Sequence, residues 1–474
     1  MKYETVMGLE IHVELSTESK LFCSCSAKFG AEPNENVCPA CSGMPGFPAV
    51  VNKKAIELAI AAGLVTNCEI ASVMTFDKKN YFYPDIPTGY QITQYYSPAC
   101  INGSIELEDG KTITIKQIHI EEDAGKLIHD PRTRTTLVDF NRASVPLIEI
   151  VSNPDFNTAE EVNEYLEKLR LLLSFAGISD CKMQEGSMRC DINISVREKG
   201  SRELGTRTEI KNINSLKAIT RAIEYESQRH IDALETGSEK LFQETRSWDD
   251  DIGITNFMRE KEDAADYRYF PNPELMPVHI DADWVERIRA SLPEPAHEKF
   301  ERMTKQLGLP VHDSKIISGN QNLARIFDGT LIHFNKPKDV SNWMIGELLA
   351  IAKDADINDD DIDIDVVKFA KVAQVVDESK INRTVGKRVL IKIFEEDVDP
   401  EAYIAEHSLA MVNDTGLLES AIKEVLAENE KSVKEYLDGS QKVFGFLVGQ
   451  VMKKTAGKAD PKSVNELLKK IFEG

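Results

Sequence analysis

The sequence predicts an α+β protein, with a strand-rich N-terminal region followed by helices alone. Three observations carry this. Up to about Pro277, short stretches alternate apolar and polar residues with period two, as half-buried strands do. Two long segments of helical spacing fall among them, so strands and helices do not alternate as in a doubly wound sheet. From about Asp281 the strand signal fades, and helical patterns run to the end.

The elements follow in order. "GLEIHVEL" (Gly8 to Leu15) sets Leu9, Ile11, Val13 and Leu15 on one face and Glu10, His12 and Glu14 on the other. "NKKAIELAIAAGLVT" has helical spacing. "QIHIEED" places His119, Glu121 and Asp123 on one face, with Glu122 at the strand's end. "PLIEIVS" holds Glu149 inside an otherwise apolar run. "TAEEVNEYLEKLRLLLSFAG" reads as a helix with Thr158 as N-cap and acids in its first turn. "MRCDINISVR" alternates Arg189, Asp191, Asn193 and Ser195 against Cys190, Ile192, Ile194 and Val196. "RTEIKNINS" puts Glu209 and Lys211 on one face. The turn-rich "DYRYFPNPELMPV" closes the region with three prolines. "DADWVERIRASL" and "EPAHEKFERMTKQLG" then read as helices, and a further boundary lies near "EEDVDPEAYIAEHS". The final "DPKSVNELLKKIF" offers Asp460 as N-cap and Pro461 at the first helical position.

The chain has 474 residues, 42% hydrophobic and 29% charged, a length that suggests about three domains. Its formal charge of −22 excludes a protein that coats nucleic acid with a uniformly basic surface; any RNA contact needs local basic patches. The N-terminus lacks the apolar core of a signal peptide, and no run of about 18 apolar residues spans a membrane. The expectation is a cytosolic (cytoplasmic) protein without membrane contact, its eight cysteines reduced or metal-bound.

The acidic strand faces are the first chemical signal. A single charged strand face is ordinarily just solvated. Here several strands offer carboxylates, and Glu149 within an apolar run is costly to bury without a partner. Clustered carboxylates raise one another's pKa unless a cation neutralises them. Mg²⁺ takes oxygen ligands and bridges substrate phosphates, and phosphoryl transfer asks chiefly for positioning and charge neutralisation. Glu10 and His12 are therefore read as holding a metal for a nucleotide phosphate. No G-x-x-x-x-G-K-[ST], G-x-G-x-x-G, kinase catalytic loop or H-E-x-x-H is present, so an ATP site must be borne by the sheet.

The cysteines are the second signal. Cys23, Cys25, Cys38 and Cys41 form C-x-C, twelve residues, C-x-x-C, with Pro and Gly around the second pair. Four thiolates suit a closed tetrahedral Zn²⁺ site of structural type; a redox pair is the alternative. Cys68, Cys100, Cys181 and Cys190 are scattered and read as core residues. The acidic run Asp354 to Asp365 lacks the calcium-loop residues: its sixth position is Asp359 where glycine is needed, and its twelfth is Asp365 rather than glutamate. It reads as a solvated loop leading into a helix.

Longer phrases then add a resemblance. "ETVMGLEIHVEL", "DKKNYFYPDIPTGYQITQ", "HIEEDAGK", "PLIEIVSNPD", "MQEGSMRCDINISVR", "TEIKNINS", "DYRYFPNPEL" and "FGFLVGQVMKKTAGKADPKSVNELL" follow one another in this order. Together they resemble the B subunit of the bacterial aspartyl/glutamyl-tRNA amidotransferases over essentially the whole chain. The resemblance implies a cradle domain over 1–290 with a glutamine-synthetase-like, mainly antiparallel sheet. It implies a helical domain over 291–400 and a helical tail over 401–474 that contacts tRNA. It further implies ATP- and Mg²⁺-dependent phosphorylation of the side-chain carboxylate of glutamyl-tRNA(Gln) or aspartyl-tRNA(Asn). Ammonia from a separate amidase subunit would then displace phosphate, and a small third subunit would complete a heterotrimer.

Carried over by motif, Glu10, His12, Glu122, Glu149 and Asp191 would surround the metals. Lys79, Glu121, Arg189, Asn193 and Lys211 would contact phosphate or carboxylate. Period two favours Glu121 where the resemblance favours Glu122, so a bulge or strand end must intervene if both hold. Zinc rests on the cysteine spacing alone. From Gln441 to the end, seven Lys stand against Asp460, Glu466 and Glu473, a net 7 − 3 = +4 that suits phosphate contact. No glutaminase nucleophile is assigned by motif, so ammonia is expected from the partner. Two rival readings are a small-molecule ATP-dependent carboxylate–amine ligase and a zinc-bearing RNA-binding scaffold. Clustered carboxylates joined to a basic tail argue against both.

Overall fold

The first alternating stretch becomes β1 (Tyr3–Glu14), the middle strand of a nine-stranded sheet. The structure is a computed structural model that describes residues 2–260, 265–410, 415–437, 442–455, 459 and 461–473. The chain divides into two units, Met1–Pro295 and Ala296–Gly474.

In the first unit, β1 is followed by α1 (Lys53–Val65), β2 (Glu69–Ile70), β3 (Val73–Met74), β4 (Asp77–Asn80) and β5 (Tyr90–Thr93). Next come β6 (Cys100–Glu106), β7 (Thr112–Glu122), β8 (Lys126–Asp130), β9 (Thr135–Asp139), β10 (Pro146–Ser152) and α2 (Ala159–Phe175). Then follow β11 (Met188–Glu198), β12 (Thr208–Lys211), α3 (Leu216–Thr236), β13 (Glu244–Asp249) and β14 (Ile254–Glu260). The unit closes with β15 (Phe270–Pro271), β16 (Val278–His279) and α4 (Ala282–Ser291). The large sheet runs β14-β13-β12-β11-β1-β10-β7-β6-β2, antiparallel except for the parallel β12–β13 pair. Strands β15, β4 and β5 make a separate three-stranded sheet.

Period two decides which face is core. Leu9, Ile11 and Val13 of β1 join Ile118 and Ile120, Ile148 and Ile150, and Ile192 and Ile194 in one buried cluster. Residues of α1, α2 and α3 complete it. Each such side chain stabilises by roughly 1.5–3 kcal/mol when fully buried, so the register is heavily favoured. A one-residue slip would drive Glu10 and His12 into that core. The acids are thereby held on the other face.

The helix signals hold where they can be read. Asn52 caps α1, and Thr158 and Glu161 form a reciprocal capping box at α2. In the second unit, Phe327, Trp343, Phe369 and Val389 belong to one helical core. Leu418, Ile422, Val451, Val464 and Leu468 form a separate small cluster. The acidic run makes a 3₁₀ turn at Asp359–Asp361, and Asp365 caps the helix Val366–Asp377. The last helix begins at Pro461; Asp460 and Lys458 lie outside the described residues. Among the described residues no helix is long and apolar enough to cross a membrane.

Candidate active site

Strand register assembles the site. His12 lies across from Glu149 of β10 and from Arg189 of β11. Glu10 lies across from Asp191, Glu149 from His119 of β7, and Asn193 from Glu209 of β12. Residues two apart on a strand share a face. Five strands, β7, β10, β1, β11 and β12, thus place their polar residues on one surface. Glu10, His12, His119, Glu121, Glu149, Glu209 and Lys211 line a cavity of about 830 Å³ there, together with tyrosines 81, 267 and 269.

Two groups stand out on this floor. In the first, His12 Nε2 lies 3.5 Å from Glu121 Oε1 and 3.5 Å from Glu149 Oε2. His119 Nε2 lies 3.2 Å from Glu149 Oε2 and 3.6 Å from Glu121 Oε2. Burial opposes charge on all of these, but the opposite charges win. Glu149 and Glu121 push His119 up to about 10. His119 and His12 in turn hold the Glu149 carboxyl well below the usual range, also against burial.

In the second group, Glu10, Asp191 and Glu209 bring one carboxylate oxygen each within 4.8 Å of one another. Lys211 Nζ donates to Asp191 and lies 3.5 Å from Glu209 Oε1. Burial disfavours its charge, yet these carboxylates raise its pKa. Asn193 Nδ2 donates to Glu10 Oε1 at 2.9 Å. Three converging carboxylates exceed the lysine charge beside them. An oxygen-rich, acidic donor set of this kind suits a hard divalent cation.

Four of the expected residues take distinct places. Glu121 lies on the floor and Glu122 does not. The β7–β10 register is regular from Gln117 to Glu122, so no bulge intervenes to bring Glu122 round. Glu122 instead accepts from Ile92 N at 2.9 Å, with burial pushing its carboxyl up to about 7. It lines a small separate cavity with Cys41, Asp123 and Ser144. Arg189 turns to Asp123, Nη2 to Oδ2 2.9 Å, beside Arg142 on the same oxygen. Neighbouring Glu14 is pushed up to about 8 by burial and by the charge of Asp123. Lys79 lines the main cavity with Nζ over the rings of Tyr267 (4.8 Å) and Tyr81 (5.6 Å).

On sequence alone, His119 and Glu209 sit on polar faces without an assigned role. Their roles depend on strand neighbours, and the only local signal is their period-two position. Gln94, Tyr95 and Tyr269 escape sequence reasoning because they lie outside regular alternation.

The cysteine knuckle is built as its spacing suggests. The four Sγ atoms of Cys23, Cys25, Cys38 and Cys41 lie within 4.8 Å of one another, and no disulfide joins them. Gly43 turns the chain after the second pair at φ +73, and a Cβ there would meet Pro87 O at 2.7 Å, so only glycine fits. A hydrogen bond from Cys23, the Cys38 N–H and buried Lys20 together lower Cys41 to about 4. Lys20 Nζ is 3.6 Å from its Sγ. Four converging sulfurs, one already favoured as thiolate, could hold a metal ion.

Residues 5–286, more than half of the chain, match the GatB/GatE catalytic domain, and residues 325–472 match the GatB domain. The chain belongs to the GatB/GatE family. It is 53% identical over 473 residues to the aspartyl/glutamyl-tRNA(Asn/Gln) amidotransferase B subunit of Lachnoclostridium phytofermentans, with 99% of each chain covered. It is 50% identical to the protein of the same name from Caldicellulosiruptor saccharolyticus, with all of each chain covered. In this member of the family, the matched catalytic stretch contains both carboxylate groups and the four cysteines.

Proposed function

We propose that this chain is the phosphorylating and amidating subunit of a glutamine-dependent tRNA amidotransferase of the cytoplasm. Its substrates are glutamyl-tRNA(Gln), aspartyl-tRNA(Asn) or both, with ATP. A separate amidase subunit supplies ammonia and a small third subunit completes the heterotrimer, in keeping with relatives that are themselves named as one subunit of such an enzyme. The observation that carries the reading is the pair of carboxylate groups converging on one cavity.

Glu10, Asp191 and Glu209 form one metal position in this reading, and His12, Glu121 and Glu149 the other. Glu121 replaces Glu122 because only Glu121 faces the floor. Mg²⁺ held by these residues would supply charge neutralisation for the nucleotide phosphates. Lys211, charged against its two carboxylates, offers a cation to phosphate. Asn193 fixes Glu10, and His119 keeps Glu121 and Glu149 ionised. Lys79 stands at the cavity margin, available to the substrate carboxylate, whereas Arg189 is engaged by Asp123 and takes no part in this reading. That carboxylate attacks the terminal phosphorus of ATP and ADP leaves; ammonia then attacks the acyl carbon and phosphate leaves.

The four-cysteine knuckle takes Zn²⁺ in this proposal, in a structural role. The domains follow the boundaries 1–290, 291–400 and 401–474, with the last bearing on tRNA.

The test is ADP formation from Mg·ATP by the chain with its two partners, with ammonium chloride as nitrogen donor. Glutamyl-tRNA(Gln), aspartyl-tRNA(Asn) and the uncharged tRNAs are added in turn. ADP that appears only with charged tRNA supports the proposal. Turnover indifferent to charging points to a small-molecule ligase, and none at all points to a scaffold.

A further inference from the structure

The cavity floor is one face of a sheet whose other face also carries charge. On β12 and β13, Glu209, Lys211 and Thr245 line the cavity, and Thr245 Oγ1 donates to Glu209 Oε2 at 2.7 Å. Thr208, Glu244 and Arg246 alternate with them and take the opposite face. There they meet Glu226, Arg229 and His230 of α3 and Thr255 of β14. Arg229 is the hub. It donates to Glu226 Oε2 at 3.0 Å, to Glu244 Oε1 at 2.8 Å and to Thr208 Oγ1 at 3.3 Å. Arg246 donates to Thr255 Oγ1 at 2.7 Å and to Thr255 O at 2.8 Å, and it lies 3.3 Å from both Glu226 Oε1 and Glu244 Oε2. Thr255 Oγ1 donates to Glu226 in turn. Two arginines, two glutamates and two threonines thus link one helix and three strands. Glu226 is fully buried and Glu244 is 2% exposed.

Such a charge quartet is a poor way to gain stability. Taking four charges out of water is costly, and apolar side chains of similar size would hold the layer as well. What directional ion pairs add is a unique arrangement. That arrangement matters at β12, which has four residues and forms the parallel pair of the sheet with β13. Burial of Ile210 fixes which face points inward, because a one-residue slip would reverse it. A two-residue slip keeps the faces, so period two does not oppose it. It would carry Glu209 roughly 6.6 Å along the strand, away from Glu10 and Asp191. Thr208 and Glu244 are register partners, and Arg229 reaches both, so its planar fork closes in this register alone.

We propose that this quartet positions the Glu209 carboxylate for the reaction. Arg229, with Glu226, Glu244 and Arg246, fixes the β12–β13 register from behind the sheet and so completes the Glu10–Asp191–Glu209 group. These four are positioning residues and touch no reacting atom. The link from back to front is short. Thr208 precedes Glu209 and Glu244 precedes Thr245, so the carboxylate and the hydroxyl that donates to it both follow a residue held by Arg229. The His12–Glu121–Glu149 group lies on β1, β7 and β10, with no member on β12 or β13. It is expected to be independent of the quartet. The inference rests on the metal reading of the two carboxylate groups above.

The experiment is Mn²⁺ binding to the full chain with its partners, without ATP, read from the electron spin resonance signal of the free ion. Wild type should bind two ions. Arg229→Lys keeps the charge and loses the planar fork. It should weaken one ion by about tenfold, a typical loss when a ligand's support is removed, and leave the other unchanged. The Mg²⁺ needed for half-maximal ADP formation should rise, with turnover at saturating Mg²⁺ retained. Thr208→Val removes only a hydroxyl and should weaken the same ion by less; it carries the test if Arg229→Lys fails to fold. Thr158→Ala removes the α2 cap, lowers stability away from the quartet and should leave both ions unchanged. A purely structural role predicts that Arg229→Lys behaves like Thr158→Ala, less stable but normal in Mn²⁺ binding. That result overturns the proposal, as does equal weakening of both ions. If wild type binds no Mn²⁺, or Glu209→Gln leaves both ions unchanged, the metal reading itself falls and the proposal with it.

Discussion

His12 and Glu149 face each other across the β1–β10 pairing, and His12 Nε2 meets Glu149 Oε2 at 3.5 Å. The same oxygen lies 3.2 Å from His119 Nε2 on the opposite flank. One carboxylate therefore holds an imidazole from each neighbouring strand. Its position inside an apolar run is explained by that double pairing, which offsets the cost of burying an acid.

Glu149→Gln keeps the shape and removes the charge. His119 and His12 both lose an ion-pair partner, and the proposed metal position loses an anionic ligand. The cavity tyrosines and the tail are untouched. ADP formation with charged tRNA should fall by about 100-fold, with a higher Mg²⁺ requirement. The apolar face of β10 still packs, so the far-ultraviolet circular dichroism should match wild type. Full activity at ordinary Mg²⁺ would remove Glu149 from the metal group.

A second expectation concerns acid stability. His230 on α3 is buried, with Nε2 2.9 Å from Thr208 Oγ1. Burial, then Arg229, lowers its pKa to about 4, from about 6.5 in an unfolded chain. Between those values the unfolded state binds more protons, so stability is complete above pH 6.5 and falls as pH drops towards 4. The loss from this residue is about 1 kcal/mol by pH 5.5 and approaches about 3 kcal/mol below pH 4. Urea unfolding at pH 7.5 and 5.5 should show a smaller pH loss in His230→Gln than in wild type. Identical losses would mean that His230 titrates normally in the fold.

Much of this architecture was legible in the sequence because its signals are local. Alternation in "GLEIHVEL" and "MRCDINISVR" marked which side chains share a face, and Thr158 marked the start of α2. Which strands are neighbours was not legible, and the site depends on it. Glu10 meets Asp191 only because β1 pairs with β11, nearly two hundred residues away. Plain alternation ranked Glu121 above Glu122 and agrees with the floor geometry; motif resemblance ranked them the other way. The cavity tyrosines gave no periodic signal, since Tyr95 and Tyr269 sit just beyond strand ends and are joined by a small separate sheet.

The cysteine knuckle yields a measurement of composition rather than activity. Cys38→Ser removes one of four converging sulfurs and the backbone-anchored neighbour of Cys41. The chain should carry about one zinc per molecule, and the variant close to none, by elemental analysis after dialysis. Cys68→Ser is the control: Cys68 bonds to Thr66 outside the cluster and should leave zinc content unchanged. A wild-type chain without bound metal, after purification free of chelators, would return the four thiols to a purely packing role.

The C-terminal lysines separate into two kinds. Lys454 is engaged by Glu424 at 3.1 Å and Glu428 at 2.5 Å, so much of its charge is already answered within the unit. Lys469 and Lys470 are exposed on the helix Pro461–Glu473. A lysine that meets a tRNA phosphate releases condensed counterion, which steepens the dependence of binding on salt. If the tail contacts tRNA, Lys469→Ala or Lys470→Ala should weaken binding and lower the slope of log K against log salt by about one per phosphate no longer neutralised. Lys454→Ala should change the slope less, because its removal frees two carboxylates rather than a phosphate. Filter-binding titrations from low to moderate salt read this directly. A larger effect at Lys454 than at Lys469 and Lys470 would place the RNA against the surface that carries Glu424 and Glu428.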